Sequence, residues 1–117
     1  GVANAALSSS GLVRECICFI HANLDARLSV TDIAAHVHMS PSRLSHLFKA
    51  ETGMSIMRYL SRARLDEAKR LLASPDTSVA RVSEQVGFAD PAHFSRSFKR
   101  AEGISPSDYR QRAITAG

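Results

Sequence analysis

Tryptophan is absent from the 117-residue chain, and five Phe and two Tyr keep the aromatic share at 6%. So thin an aromatic content, beside many Ala and Leu, disfavours a β-sandwich and points toward helices. No apolar run approaches the about 18 residues that a membrane-spanning helix needs. The first residues have neither the basic start nor the apolar segment of a secretory signal. Cysteine is limited to Cys16 and Cys18. Two apart, they fall on different sides of a helix or on opposite faces of a strand, which suits neither a disulfide nor a joint metal site. Reduced thiols, in the core or half-buried, are expected, in keeping with a cytoplasmic protein.

Catalytic signatures are missing too. The chain has no glycine-rich phosphate loop, no H-E-x-x-H pair and no serine in an elbow motif. His36-x-His38 has no further ligands at useful spacing. An enzyme is not expected, and neither a metal nor a cofactor is called for.

What remains is an ordinary folding composition, 44% apolar and 22% charged, well away from disorder. The length suits one compact domain, or two very small subdomains sharing a rigid element. Fifteen Lys and Arg against eleven Asp and Glu give a net charge of +4. That favours an anionic partner without identifying it.

Residues 1–10 are small and polar with no helical period, and read as a flexible linker or the remnant of something longer. Leu12, Val13, Cys16, Ile17, Ile20 and Leu24 then recur at three- and four-residue steps, the pattern of an amphipathic helix. Ser29 is a candidate N-cap with Asp32 in the following turn, and this short helix buries Val30, Ile33, Ala34 and Val37. Ser40 and Pro41 start another, with proline at the first position where its missing N–H costs nothing. It buries Leu44, Leu47 and Phe48 and ends near Gly53. A longer helix runs from Ser55 to about Ala73, with Asp66 and Arg70 as an i,i+4 pair.

The pattern then begins again. At a shift of 49, Val30 falls on Val79 and Val37 on Val86; at 50, Pro41 falls on Pro91, Ser45 on Ser95, Phe48 on Phe98, Lys49 on Lys99, Gly53 on Gly103, Ser55 on Ser105 and Tyr59 on Tyr109. One extra residue in the second turn accounts for the change of shift. The expected fold is therefore all-α. Helix-turn-helix subdomains over 11–54 and 75–112 flank a linker helix over 55–74, and 113–117 form a tail.

A helix-turn-helix needs a short support helix, a tight turn, and a second helix with one face buried and one free. In the first copy Ser42, Arg43, Ser45, His46 and Lys49 point outward; in the second Ala92, His93, Arg96, Ser97 and Arg100 do. Neither face carries an acid until its helix ends. Such faces suit base edges and phosphates. A joining helix of about 19 residues spans roughly 28 Å, compatible with the about 34 Å between successive major grooves on one side of B-DNA.

Four ordered motifs carry a family resemblance: Arg64-Leu65-x-x-Ala68-Lys69-x-Leu71-Leu72; Val82-x-x-x-Val86-Gly87-Phe88; His93-Phe94-Ser95-Arg96-x-Phe98-Lys99; and Gly103-Ile-Ser105-Pro106-x-x-Tyr109-Arg110. Together with SPSRLSHLF over 40–48, they make residues 11–112 resemble the DNA-binding domain of AraC/XylS-family transcription regulators. The resemblance implies seven helices, two helix-turn-helix subdomains and sequence-specific binding of double-stranded DNA by an activator or repressor. It places base contacts at Ser42, Ser45 and His46 in the first unit and at Pro91, Ala92, Ser95 and Arg96 in the second. Pro91 and Ala92 carry no polar side chain, which shifts the second unit's weight to His93 and Arg96. Arg43 and Lys49 are expected on phosphates, and Ser40, Ser95, Lys99 and Arg100 in phosphate or mixed roles. Arg62 meets either a phosphate or a nearby acid such as Asp66. His38 stands at the turn position that Gly87 fills in the second copy, and His tolerates positive φ better than most residues.

The rival reading is a helical module whose basic face meets an acidic protein such as RNA polymerase; regulators of this family often do both. A third, the same module in a DNA-repair methyltransferase, needs a reactive-cysteine domain that is not in this chain. An effector-binding and dimerisation domain is expected beyond the N-terminal side. No membrane contact is expected.

Overall fold

The computed structural model of the chain describes residues 9–116. Among these there are seven helices and no strand: α1 (Ser9–Ala22), α2 (Val30–His36), α3 (Pro41–Thr52), α4 (Ile56–Leu72), α5 (Val79–Gln85), α6 (Pro91–Glu102) and α7 (Pro106–Ala116). The linker expected over 1–10 lies outside the described residues except at Ser9 and Ser10, which open α1. At the other end residues 113–116, expected as a tail, are helical. They continue α7 by another turn, since Ala113 and Ala116 favour a helix and no breaker precedes Gly117.

Two compact units divide the chain within α4, at 1–61 and 62–117. In the first, α1, α2 and α3 pack on one another and bury Val13, Cys16 and Ile20 from α1, Ile33 and Ala34 from α2, and Leu44 and Phe48 from α3. In the second, Leu65, Ala68 and Leu72 of α4 form a core with Val82, Val86, Phe88, Phe94 and Phe98. The spacing Val13-Cys16-Ile20 recurs as Leu65-Ala68-Leu72, so the C-terminal half of α4 does for the second unit what α1 does for the first. Ser83 takes the place of Ala34, and both are exposed to 1% or less. Only a small side chain lets the helices approach there.

Capping explains where the helices begin. Ser29 Oγ accepts the Asp32 N–H at 3.1 Å while the Asp32 carboxylate accepts the Ser29 N–H at 3.0 Å, closing a capping box. Ser78 repeats the N-cap in the second copy, accepting the Arg81 N–H at 3.0 Å. The two turns match closely. His38 has φ 57° and Gly87 φ 88°. Met39 N–H donates to Ala34 O, and Phe88 N–H to Ser83 O, both at 3.0 Å.

The cysteines separate as their spacing requires, Cys16 buried and Cys18 exposed, both free. Burial, aided by the neighbouring Glu15 carboxylate, pushes the Cys16 thiol up and keeps it protonated. The expected Asp66–Arg70 pair does not form. Arg70 pairs with Glu67, with Nε 3.1 Å from both carboxylate oxygens, because Asp66 is already taken by Arg62 and Lys69.

Glycine adopts positive φ without strain, so His38→Gly is expected to hold or raise the melting temperature. His38→Val should lower stability by about 1–2 kcal/mol, as read by thermal unfolding. Asp32 is held below the usual carboxylate range, first by the Ser29 N–H and then by its hydroxyl. Its stabilisation is therefore complete above the unfolded value of about 3.9 and is lost as pH falls through the lower folded value. Acid titration of helical circular dichroism should show this loss, and Asp32→Asn should not.

Candidate nucleic-acid interface

The second helix of each copy, α3 and α6, has a phenylalanine held edge-on by a tyrosine. Phe48 of α3 meets Tyr59 of α4 at a centroid distance of 5.6 Å, and Phe98 of α6 meets Tyr109 of α7 at 5.5 Å, both at an interplanar angle of 74°. Leu44 and Phe48 in α3, and Phe94 and Phe98 in α6, are fully buried. At 3.6 residues per turn, burial of these positions turns the opposite side of each helix toward solvent.

On α3 that side carries Ser42, Arg43, Ser45, His46 and Lys49, all exposed. Ser42, Ser45, His46 and Lys49 line one open recess together with Ala50, which the sequence reading did not single out. Ser40 is exposed and committed at the N-terminus, accepting the Arg43 N–H at 3.2 Å. Its hydroxyl proton stays available to an acceptor.

On α6 Ala92, His93, Arg96, Lys99 and Arg100 are exposed, while Ser95 and Ser97 are half-buried. Ser95 therefore presents less to a ligand than its counterpart Ser45, and Ser97 is not on the open face. The His93 ring lies edge-on against Phe88, with centroids 5.4 Å apart, so this side chain is oriented by the turn as well as offered to solvent. Asp90 is the N-cap, its carboxylate accepting the Ala92 N–H at 3.0 Å. The sequence signal for this role is that Asp90 falls on the capping Ser40 at a shift of 50.

Charge pairing divides the cations by position. Among the described residues Arg43, His46, Lys49, Arg96, Lys99 and Arg100 form no ion pair, whereas on α4 Arg62, Lys69 and Arg70 all do. Arg62 Nε lies 3.8 Å from Asp66, so an acid holds it, loosely and in solvent. Lys69 Nζ lies 3.4 Å from Asp66 and 3.3 Å from Glu102 at the end of α6. Burial pulls the Lys69 ammonium down, but Glu102 and then Asp66 outweigh it and hold it above the usual lysine range. Arg110 of α7 donates from Nε to the Leu72 carbonyl at 3.1 Å and so covers the C-terminal end of α4. Among the described residues no three His, Cys, Asp or Glu are grouped to hold a metal ion. Among the described residues no helix is long and apolar enough to cross a membrane.

Removing the Asp90 cap should be felt mainly in α6. Asp90→Ala is expected to cost about 1 kcal/mol and to speed amide exchange in the first turn of α6, while Asp90→Ser keeps both near their original values.

A family described as a helix-turn-helix domain matches residues 24–112. The chain is 41% identical over 99 residues to the arabinose operon regulatory protein of Escherichia coli strain K12, covering 84% of this chain and 34% of that protein. It is 36% identical over 98 residues to the lactose operon transcription activator of Staphylococcus xylosus, covering 84% of this chain and 35% of that protein. The chain thus spans about a third of the length of these curated relatives. Among solved structures, an AraC-type transcriptional regulator from Chromobacterium violaceum superposes with a TM-score of 0.85 at 29% identity, over 95% of this chain and 99% of that one. The DNA-binding domain of AdpA, solved in complex with a target DNA, superposes with a TM-score of 0.84 at 29% identity, over 89% of this chain and 94% of that one.

Proposed function

Since the chain belongs to the AraC-type helix-turn-helix domain family, we propose that it binds double-stranded DNA sequence-specifically, as the DNA-reading part of a bacterial transcription regulator. The observation that carries this reading is the pair of recognition helices, each with a buried aromatic anchor and an outward face of unpaired cations and hydrogen-bonding groups. Such a face meets phosphates by charge and base edges by hydrogen bonds.

Each helix presents its N-terminal residues to base edges in the major groove. In α3 the readers are Ser42, Ser45 and His46, with Arg43, Lys49 and Ser40 on phosphates. In α6 Arg96 reads, its guanidinium suited to a bidentate contact with guanine O6 and N7. His93 assists from its seat on Phe88, and Lys99, Arg100 and the half-buried Ser95 serve backbone contacts. Arg62 is a weaker candidate, since a phosphate must compete with Asp66 for it. A regulator of this kind acts in the cytoplasm and meets RNA polymerase at the promoter. An effector-binding, dimerising domain on the N-terminal side fits relatives of which this chain spans 34–35%.

Selection of bound duplexes from a random pool should return a defined site, and log K should fall with log salt at a slope of several units. Equal affinity for all duplexes, or none at low salt, overturns the reading. Arg96→Ala should cost about 1–3 kcal/mol and relax preference at one base pair, whereas Lys49→Ala should weaken all sequences alike and reduce the salt slope by about 1. Identical behaviour of the two variants would refute this division of roles.

A further inference from the structure

The two copies solve one local problem in different ways. Where α3 ends, Thr52 donates its hydroxyl to the Phe48 carbonyl at 2.8 Å and accepts the Met54 N–H at 3.3 Å, an arrangement local to its own helix end. At the same place in the second copy stands Glu102. An acid in the last turn of a helix opposes the helix dipole, and the Glu102 side chain is only 18% exposed, so the carboxylate is largely withdrawn from water as well. Its partner is Lys69, reaching across from α4 at 3.3 Å. By the alignment of Val13-Cys16-Ile20 with Leu65-Ala68-Leu72, Lys69 takes the place of the half-buried Ile17. Both positions differ from the first copy, and they differ as a pair: an apolar residue and a locally bonded hydroxyl give way to a cation and an anion in contact.

We propose that Lys69 and Glu102 form an electrostatic clamp that fixes α6 against α4, which makes Lys69 a positioning residue for the second recognition helix. The clamp bears on function only through the DNA-binding reading above. It joins the end of the helix that carries Arg96, Lys99 and Arg100 to the C-terminal part of α4, within the same unit. Asp66 also holds the Lys69 ammonium, at 3.4 Å, which narrows the positions from which it can reach Glu102. A misplaced helix loses the geometry that a bidentate base contact needs while keeping its charges.

The test is a double-mutant cycle of Lys69→Met and Glu102→Gln, with Lys69→Arg as the conservative variant. Affinity is measured for the preferred duplex and for one altered at the base pair whose preference Arg96→Ala relaxes. Their ratio is the discrimination of α6, and a duplex altered in the part read by α3 is the control. Each single variant is expected to reduce the α6 ratio about tenfold, with the double variant no worse than either. Lys69→Arg should retain the ratio, and the α3 ratio should not move. In the free chain, amide exchange in α6 should quicken in both single variants.

Loss of one acid from a basic chain should by itself tighten binding to every duplex. If Glu102→Gln does that with the α6 ratio intact, Glu102 is only a repelling charge and the clamp is overturned. Strictly additive effects in the double variant, or an equal fall in the α3 ratio, overturn it too. If the unmutated chain prefers no duplex, the DNA-reading function falls. The clamp then stands or falls on α6 exchange alone, and unchanged exchange in both single variants refutes it.

Discussion

The edge-on seating of Tyr59 on Phe48, and of Tyr109 on Phe98, is the contact on which each recognition helix depends. A helix of about three turns cannot hold its orientation by propensity alone; it is oriented by the side it buries. One aromatic locked at a defined angle, with Leu44 or Phe94 one turn before it, leaves a single rotational setting for α3 and α6. Everything offered to a ligand is what remains on the other side. The same contact explains why the phenylalanines are core residues and not stacking platforms, since their rings are fully buried and already partnered.

α4 belongs to both units. Its N-terminal part buries Ile56 and Leu60 within the first unit and sets the half-buried Tyr59 on Phe48, as α7 sets Tyr109 on Phe98 in the second. Its C-terminal part supplies Leu65, Ala68 and Leu72, in the role that α1 plays in the first. The unit boundary falls between Ser61 and Arg62, within this helix. Arg62, Lys69 and Arg70 on this helix are drawn into pairs with its own acids or with Glu102, whereas among the described residues Arg43, Lys49, Arg96, Lys99 and Arg100 on α3 and α6 form no ion pair.

Similar scaffolding does not make the outward faces of α3 and α6 alike. α3 offers two exposed serines, a histidine, an arginine and a lysine around one recess. α6 begins with Pro91 and Ala92, holds Ser95 half-buried and seats His93 on Phe88, so its polar reach rests mainly on Arg96 with Lys99 and Arg100 behind it. The second helix is accordingly the more cationic and the narrower in hydrogen-bonding choice. It is also the one whose end is tied by an ion pair.

The sequence by itself determined the helical class, the two copies, the capping serines at 29 and 40, the positive φ at His38 and the outward side of α3. All of these follow from periodicity, cap chemistry and backbone sterics, which act over a few residues. Even Ser78 and Asp90 were legible through the repeat, although cap chemistry alone did not single them out. Tertiary structure alone decided which acid each cation on α4 meets, because i,i+3 and i,i+4 partners compete and a distant carboxylate such as Glu102 enters the competition. It alone seated His93 on Phe88 and half-buried Ser95 and Ser97, since the depth of a side chain depends on what packs beside its helix. It alone brought Arg110 to the Leu72 carbonyl, 38 residues away. Contacts of that kind come from helices folded back on each other, and no local pattern records them.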